Sequence, residues 1–287
     1  MKKFLIVTAD DFGIHDAVNE AVSEASVAGI LTAASLMVGA PAAEDAVRRA
    51  RELPQLRVGL HLVLADGFAT LPRRLIPDLV DGQGRFGDGM WLDGVRYFAL
   101  PSLRRQLEAE IRAQFAAFAR TGLVLDHVNA HKHFHLHPTL LQMIVRVGRE
   151  FGMSAVRVPY EPLWFSMRGA MVGAMASSAL LLPWITMMKA RLRAAGMIYN
   201  DRVFGIASTG RLDESTLLDI LARLPPGVTE IYLHPATHSQ SPITASMSDY
   251  RHTTELAALL SERVAAAVTA TGATRGGYRD VVGQEPA

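Results

Sequence analysis

The sequence predicts an α/β protein in which a parallel sheet is covered by helices. Short apolar runs alternate with amphipathic stretches, and no Gly/Ser-rich linker or internal repeat divides the 287-residue chain. Strands that alternate with helices favour parallel pairing, because each helix returns the chain to the same end of the sheet. About seven predicted strands suit either a closed barrel or an open sheet. We therefore expect residues 1–287 to form a single domain.

The predicted strands are short apolar runs bounded by polar or turn-forming residues. In chain order they are Lys3–Thr8, Ala34–Val38, Arg57–Leu62, Val124–Asn129, Ala155–Val158, Arg202–Ile206 and Glu230–Leu233. Asp10 and Asp11 end the first apolar run too early for a signal peptide, so we interpret it as a strand.

The predicted helices carry apolar residues at i, i+3 and i+4, the spacing of a half-buried face. They are Asp16–Ala28, Ala42–Glu52, Ser102–Thr121, Pro138–Phe151, Glu214–Arg223 and Thr253–Thr271. Ser102 and Asp213 are the predicted N-caps of two of them, because a short oxygen-bearing side chain can accept a backbone N–H there.

Two long stretches interrupt this alternation. Leu64–Leu100 is rich in Gly, Pro and Asp and is predicted to form loops. The insertion, residues 160–200, contains the uncharged and mostly apolar run Gly169–Met188. Long connections of this kind in compact domains are often lids or binding loops.

The insertion has three interpretations: a transmembrane helix, buried core helices, or a lid that contacts membrane lipid or a lipid tail. A transmembrane helix would place Arg157 and His234 on opposite sides of a bilayer, and Pro183 disfavours a continuous helix. We favour the lid. Its apolar surface would come from Leu180–Leu182, Trp184, Ile185, Met187 and Met188, with Lys189, Arg191 and Arg193 among anionic headgroups.

Composition excludes several classes of protein. With 49% hydrophobic residues and a net charge of +1, the chain is neither disordered nor equipped with the basic footprint of a nucleic-acid binder. The absence of Cys excludes disulfides, Cys-ligated zinc, iron–sulfur clusters and a cysteine nucleophile, and it fits the cytosol.

Residues capable of catalysis follow five of the predicted strands. Because the carboxyl ends of parallel strands meet at one edge, these side chains are expected to converge. Burying so many polar groups would be costly unless they were paired or bound a metal. The residues are Asp10, Asp11, His61, the run His131–His137, Arg157 and His234.

A catalytic divalent metal needs about three protein ligands, and Asp11, His61 and His131 offer one carboxylate and two imidazoles. Adjacent side chains on a strand point to opposite sides, so Asp10 is free to act as a base. If the histidine run is extended, alternate histidines step away by about 6–7 Å, and one ion cannot use all of them.

Four motifs resemble the YdjC-like carbohydrate deacetylases. They are TADDFG at Thr8–Gly13, GLHL at Gly59–Leu62, the HxHxHxHP run at His131–Pro138, and HP at His234–Pro235. The resemblance extends from Lys3 to about Leu260. It implies a distorted (β/α) barrel, TIM-like and similar to polysaccharide deacetylases, with one divalent metal ion and removal of N-acetyl groups from sugars.

The resemblance also implies roles for individual residues. Asp10 would be the general base oriented by Arg157, and His234 the general acid. The metal ligands would be Asp11, His61 and His131. Candidate substrate contacts are His133, His135, Tyr160, Glu161 and Trp184. Zn²⁺ suits this ligand set, and Mg²⁺, Mn²⁺, Co²⁺ and Ni²⁺ are the alternative ions that it could bind.

The VRVPYEP segment, the apolar insertion after it and the YLHPATHS segment resemble the hopanoid-biosynthesis-associated deacetylases within the family. That branch implies a glycolipid substrate, N-acetylglucosaminyl bacteriohopanetetrol, and a cytoplasmic enzyme with peripheral contact with the inner membrane. The alternatives are a chitooligosaccharide deacetylase, a multi-metal phosphoesterase and a non-catalytic lipid or sugar binder. One metal ion per chain would favour deacetylation over phosphoester chemistry.

Overall fold

The computed structural model describes residues 2–89, 100–162, 165, 172–238, 243 and 245–281, with only the backbone of 172–181 and 245. The strands are β1 (Lys3–Phe12), β2 (Ala33–Leu36), β3 (Arg57–Leu62), β4 (Gly67–Phe68), β5 (Arg85–Phe86), β6 (Val128–Ala130), β7 (Arg202–Phe204), β8 (Gly227–Leu233) and β9 (Thr274–Arg275). The helices are α1 (Asp16–Ala28), α2 (Ala43–Glu52), α3 (Pro101–Arg120), α4 (Pro138–Glu150), α5 (Val172–Ala194), α6 (Glu214–Ala222), α7 (His252–Leu260) and α8 (Glu262–Ala270).

The main sheet is parallel, and its strand order is β6-β3-β2-β1-β8-β7, with β9 paired to the start of β1. The segment after α4 continues the sheet from β6 to β7. Val156 forms a parallel bridge with Val128 of β6, and the Val203 N–H of β7 donates to the Tyr160 carbonyl at 2.8 Å. The sheet therefore curls into a distorted barrel, which confirms the predicted α/β class and barrel architecture.

The core lies between this sheet and the helices around it. Every residue of β1 from Phe4 to Phe12 is buried, as expected for a central strand covered on both faces. Helix α1 buries the face that carries Val18, Ala21 and Val22, so the predicted helical spacing is confirmed. The polar ends of the central strands are thereby held in a rigid frame.

Among the predicted elements that differ from the structure are one strand and one helix. Ala155–Val158 is not a regular strand but forms isolated bridges, because the Val158 backbone N–H and C=O both bond to the Asn200 side chain. The predicted helix Thr253–Thr271 is divided at Ser261, whose backbone is extended and whose Oγ accepts the Val264 N–H at the start of α8.

One of the two predicted N-caps is confirmed. Asp213 Oδ1 accepts the Thr216 N–H at 2.8 Å at the start of α6. Ser102 is not a cap, because Pro101 is already the first residue of α3 and Leu100 precedes it. Proline is favoured at the first helical position, where its missing N–H costs nothing.

The Gly-rich stretch predicted as loops contains a small antiparallel pair, β4 and β5, and a 3₁₀ turn at Arg73–Leu75. Residues 90–99 of that stretch lie outside the described residues.

The described second half of α5 packs into the barrel. Ile185, Met188 and Leu192 belong to the main hydrophobic core, and Lys189 Nζ donates to the Asp201 carbonyl at 2.7 Å. The expectation that Ile185 and Met188 form an exposed apolar surface is therefore wrong, because both side chains are buried in the core. The side chains of Leu180 and Leu181 lie outside the described residues. Across the described ranges, no helix combines the length and apolarity needed to cross a membrane.

Candidate functional site

A cavity of about 190 Å³ opens at the carboxyl ends of β1, β3, β6 and β8. Its polar lining includes Asp10, His61, His131, Lys132, His133 and His234. Aromatic and apolar walls are formed by Tyr232, Tyr250, Met247 and Ile206. The strand ends thus bring together polar residues that are far apart in sequence, at the edge where parallel α/β folds place their sites.

Asp11, His61 and His131 form a buried group whose ligand atoms all lie within 4.8 Å of one another. Asp11 Oδ1 is 3.2 Å from His61 Nε2 and 3.0 Å from His131 Nδ1. Two atoms of the group, Asp11 Oδ2 and His131 Nε2, are buried without a hydrogen-bond partner among the described residues. Orphaned buried acceptors are costly, and one carboxylate with two imidazoles is a common ligand set for a divalent ion. The three residues therefore fit a divalent metal ion, and we call Asp11, His61 and His131 the metal group.

Both aspartates serve this site because the backbone of β1 is irregular. Asp11 has a left-handed φ of 63°, and the pairing of β1 with β2 shifts register between Ala9 and Phe12. Aspartate tolerates this conformation better than most residues. The expectation that Asp10 and Asp11 point to opposite sides is thus wrong: Asp10 lines the cavity, and Asp11 contacts His61 and His131 beside it.

Arg157 is fully buried between two carboxylates. Its guanidinium donates to Asp10 at 2.5 and 3.0 Å and to Glu230 through two bonds of 2.8 Å. Burial opposes ionisation of Asp10, but the charge of Arg157 holds the pKa of that carboxyl well below its usual range. Asp10 therefore enters the cavity as an oriented carboxylate.

The histidine run is not extended. Residues His131–Leu136 form 3₁₀ turns, and Lys132 and His133 have left-handed φ angles of 54° and 56°. The extended arrangement considered from the sequence, in which alternate histidines step away along one side, is therefore not the one adopted. The turn keeps His131 at the metal group while Lys132 Nζ pairs with Asp66 at 2.7 Å beside the cavity.

The other two histidines of the run have separate partners. His133 lines the cavity, with Nε2 3.1 Å from the Tyr232 hydroxyl. His135 faces away, and its Nε2–H donates to the Arg157 carbonyl at 2.9 Å. Burial lowers the pKa of His135 to about 3, so its ring is neutral. The structure thus offers His133, but not His135, for contact with a substrate.

His234 follows β8, the neighbour of β1, and its Nε2 lies 3.8 Å from Asp11 Oδ2. Its backbone is held on both sides: the N–H donates to Glu255 at 2.5 Å, and the C=O accepts from His252 Nδ1 at 2.6 Å. Burial lowers the pKa of His234, while the charge of Asp11 raises it. An imidazole fixed in the cavity that Asp10 also lines is placed to exchange a proton with a bound molecule.

Three further predicted substrate contacts, besides His135, lie outside the cavity lining. The Glu161 carboxylate accepts the backbone N–H groups of residues 205–207, a loop that includes the cavity residue Ile206. Trp184 Nε1 donates to the Leu136 carbonyl at 2.6 Å, and the Tyr160 ring lies under Lys189. Glu161 and Trp184 therefore support segments that form the site, and we assign them no contact with substrate.

Sequence reasoning missed Asn129 and Glu230. Asn129 bridges the two halves of the site: its Oδ1 is 2.6 Å from His61 Nδ1, and its Nδ2 is 3.3 Å from Asp10 Oδ1. Glu230 is fully buried within β8. A single carboxylate inside the apolar run VTEIYL was the signal that could have found it, because a buried charge requires a partner.

Comparison with curated proteins finds deacetylases. A carbohydrate deacetylase of Brevibacillus brevis is 38% identical over 160 residues, covering 56% of this chain and 59% of that protein. A chitooligosaccharide deacetylase of Serratia marcescens is 32% identical over 154 residues, covering 53% and 58%. The chain spans about three fifths of the length of the first relatives it matches.

A solved structure shares the fold over nearly its whole length. It is a proposed cellobiose-phosphate cleavage protein from Enterococcus faecalis V583, with a TM-score of 0.74 and 22% identity, and the match covers 98% of this chain and 99% of that one. The sequence profile named YdjC-like protein matches residues 4–270. With the fold, the strand-end site and this match in agreement, the chain belongs to the YdjC-like family.

Proposed function

We propose that this protein is a metal-dependent N-deacetylase that hydrolyses the acetamido group of an N-acetylated sugar. The observation that carries the proposal is the position of Asp10. It is an oriented carboxylate that lines the same cavity as His61 and His131, two members of the buried Asp-His-His group. A base next to a metal-ligand set, with an imidazole lining the same cavity, is the arrangement that amide hydrolysis requires.

A divalent ion held by Asp11, His61 and His131 would act as a Lewis acid and lower the pKa of water from 15.7 toward about 7. The chain's own residues do the rest. Asp10 accepts the proton of the attacking water, and Arg157 keeps Asp10 ionised and aimed by bonds of 2.5 and 3.0 Å. His234 donates a proton to the departing nitrogen, since an unprotonated amine leaves poorly.

The cavity walls support a sugar as the substrate. Tyr232 and Tyr250 present aromatic rings on the same side as His234, and Met247 adds an apolar contact. Aromatic rings pack against the apolar faces of sugar rings while hydroxyl groups meet polar side chains such as Thr209 and Lys132. The names of the Brevibacillus and Serratia relatives point to the same substrate class.

The proposal extends to a particular acceptor, N-acetylglucosaminyl bacteriohopanetetrol. Its support is the sequence resemblance of VRVPYEP, YLHPATHS and the apolar insertion to the hopanoid-associated branch. Such a glycolipid is reached at a membrane surface, so peripheral contact with inner-membrane lipid belongs to the same proposal.

Mass spectrometry of products tests both levels of the proposal. Zinc-loaded wild type and Asp10→Asn are incubated with N-acetylglucosaminyl bacteriohopanetetrol and, separately, with chitooligosaccharides. Loss of one acetyl group from the glycolipid, absent with Asp10→Asn, supports the full proposal. Acetate release from chitooligosaccharides alone retains the chemistry and removes the lipid. No release from either substrate overturns the deacetylase proposal.

The stoichiometry of bound metal separates the proposal from phosphoester chemistry. Within the described ranges there is one group of three ligands, Asp11, His61 and His131, so we expect one zinc ion per chain by elemental analysis. Two or three ions per chain would favour a multi-metal phosphoesterase instead.

A further inference from the structure

A chain of buried side chains leads from the metal group to the opposite end of the barrel. It comprises His61, Asn129, Ser35, His127 and Asp126, each at most 2% exposed. Successive members are joined by hydrogen bonds of 2.6, 2.9, 3.0 and 2.9 Å. Because none of these groups reaches water, the donor and acceptor roles along the chain are set within the protein.

Asp126, at the far end of this series of side chains, only accepts hydrogen bonds. Both oxygens of Asp126 accept backbone N–H groups, from Tyr278 and Arg279 at 3.0 Å each. Burial opposes ionisation of Asp126, but the bond from His127 lowers its pKa. His127 Nδ1 therefore carries the proton that Asp126 accepts, and in the neutral ring His127 Nε2 is an acceptor. Ser35 must donate its hydroxyl hydrogen to that nitrogen, so Ser35 Oγ accepts from Asn129 Nδ2.

The contacts of Asn129 with Asp10 and His61, at the metal end of the series, independently give the same orientation of the Asn129 amide. Its Nδ2 also faces Asp10 Oδ1 at 3.3 Å, and Asp10 is a carboxylate locked by Arg157. A carboxylate can only accept, so the amide nitrogen must lie on that side. Asn129 Oδ1 is thereby turned toward His61 and accepts from Nδ1–H at 2.6 Å. The lone pair of His61 is left on Nε2, the atom 3.2 Å from Asp11 Oδ1.

We propose that Asn129, Ser35 and His127 are positioning residues that hold His61 as its Nδ1–H tautomer and so set the affinity of the metal site. The inference rests on the metal centre of the proposed function but not on the reaction. A histidine that binds metal needs a hydrogen-bond partner on its other nitrogen, and loss of such partners weakens metal binding about 10–100-fold. Here the orientation of the partner, Asn129, depends on Ser35 and His127, which are two and three hydrogen bonds away from His61.

A substitution at Gly59 disturbs this network of hydrogen bonds without removing a polar group from it. A Cβ at residue 59 would lie 2.5–2.6 Å from three atoms of the His127 ring. The ring must therefore shift if residue 59 becomes alanine, and its bond to Ser35 breaks while every side chain of the network is still present. Ser35→Ala removes the same link chemically.

The test compares zinc affinity, by competition with a chelator, in Ser35→Ala and Gly59→Ala. The matched controls are Ser23→Ala, which removes a hydroxyl bonded to a helix carbonyl, and Gly148→Ala, which crowds Met153 and Phe115 away from the site. We expect zinc dissociation constants about tenfold higher in the two network variants, with controls near wild type. Equal affinities in network and control variants would overturn the inference.

A second readout does not depend on any variant folding. Nitrogen-15 NMR of the zinc-loaded wild type should show His61 protonated at Nδ1 and coordinated through Nε2. A His61 ring coordinated through Nδ1 would overturn the inference even if the metal site is real. If wild type binds no zinc, the proposed function itself fails, so the two failures are distinguishable.

Discussion

The Tyr278 hydroxyl donates to Glu230 Oε2 at 2.5 Å, which ties the last described turn of the chain to the centre of the barrel. Glu230 in turn holds Arg157, the residue that orients Asp10. A residue near the C-terminus thus completes the support of a carboxylate near the N-terminus.

Tyr278→Phe removes the hydroxyl that donates to Glu230 and leaves the ring in place. The loss of a hydrogen bond to a buried carboxylate is expected to lower the free energy of unfolding by about 1–3 kcal/mol. Urea denaturation measures the change. Tyr199→Phe is the control, because the Tyr199 hydroxyl makes no hydrogen bond within the described part of the chain and its loss should cost little. Equal stabilities of the two variants would show that the Glu230 contact contributes nothing.

Arg157→Met leaves Asp10 and Glu230 as buried carboxylates without their common partner. We expect a loss of about 3–5 kcal/mol in the free energy of unfolding. Arg157→Lys keeps the charge but cannot make paired bonds to both carboxylates, so it should recover part of the stability and little of kcat. Chemical denaturation and steady-state kinetics report the two effects. Arg193→Met, an exposed change on α5, should leave both near wild type.

The Glu255 carboxyl gives a pH dependence of stability with a defined sign. Burial raises its pKa from 4.5 to about 8, although two backbone N–H groups oppose the shift. Between these values the native state holds a proton that the unfolded state has released. The contribution of Glu255 to the free energy of unfolding is therefore greatest below pH 4.5 and falls as pH rises toward 8.

Glu255→Gln cannot titrate, so the stability difference between wild type and this variant should be largest near pH 5 and shrink toward pH 8. Urea denaturation at several pH values measures it, and other titrating groups cancel in the difference. A difference that stays constant with pH would mean that Glu255 is ionised throughout.

Metal removal should destabilise the wild type. An ion that binds only the native state adds about 2.7 kcal/mol when its free concentration is a hundred times Kd, so chelation should lower Tm by several degrees. His131→Ala lacks one ligand and should respond much less to zinc or chelator. His238→Ala, an exposed histidine outside the metal group, should respond like wild type. A response of His131→Ala equal to that of wild type would exclude His131 as a ligand.

The elements and the position of the site could be predicted because both depend on local patterns. The bounds of β3 and α1 agree with the predicted Arg57–Leu62 and Asp16–Ala28, where apolar spacing is regular. The strand-end rule placed Asp10, His61, Arg157 and His234 in one region, since parallel strands share an edge.

What sequence reasoning could not supply are features decided by long-range packing. The left-handed backbone at Asp11 changed the direction of a carboxylate, and no local pattern announces it. Ser35 looks like an ordinary polar residue near a strand end. Its two hydrogen-bond partners, His127 and Asn129, lie 92 and 94 residues away in sequence. The burial of Ile185 and Met188 was not predicted because an apolar run has the same composition whether it covers a lipid or enters a core.

At the turn formed by Lys132 and His133, the stability of the backbone conflicts with the need for side chains that line the cavity. Two consecutive non-glycine residues in the left-handed region each carry strain of about 1–3 kcal/mol. Glycine or asparagine would relieve that strain, so a laboratory selection for heat resistance alone would favour them at these positions. The same substitutions would remove the Lys132 ammonium that pairs with Asp66, or the His133 imidazole that is hydrogen-bonded to the Tyr232 hydroxyl. Thermostabilised descendants of this sequence are therefore expected to gain melting temperature at the expense of the groups that line their cavity.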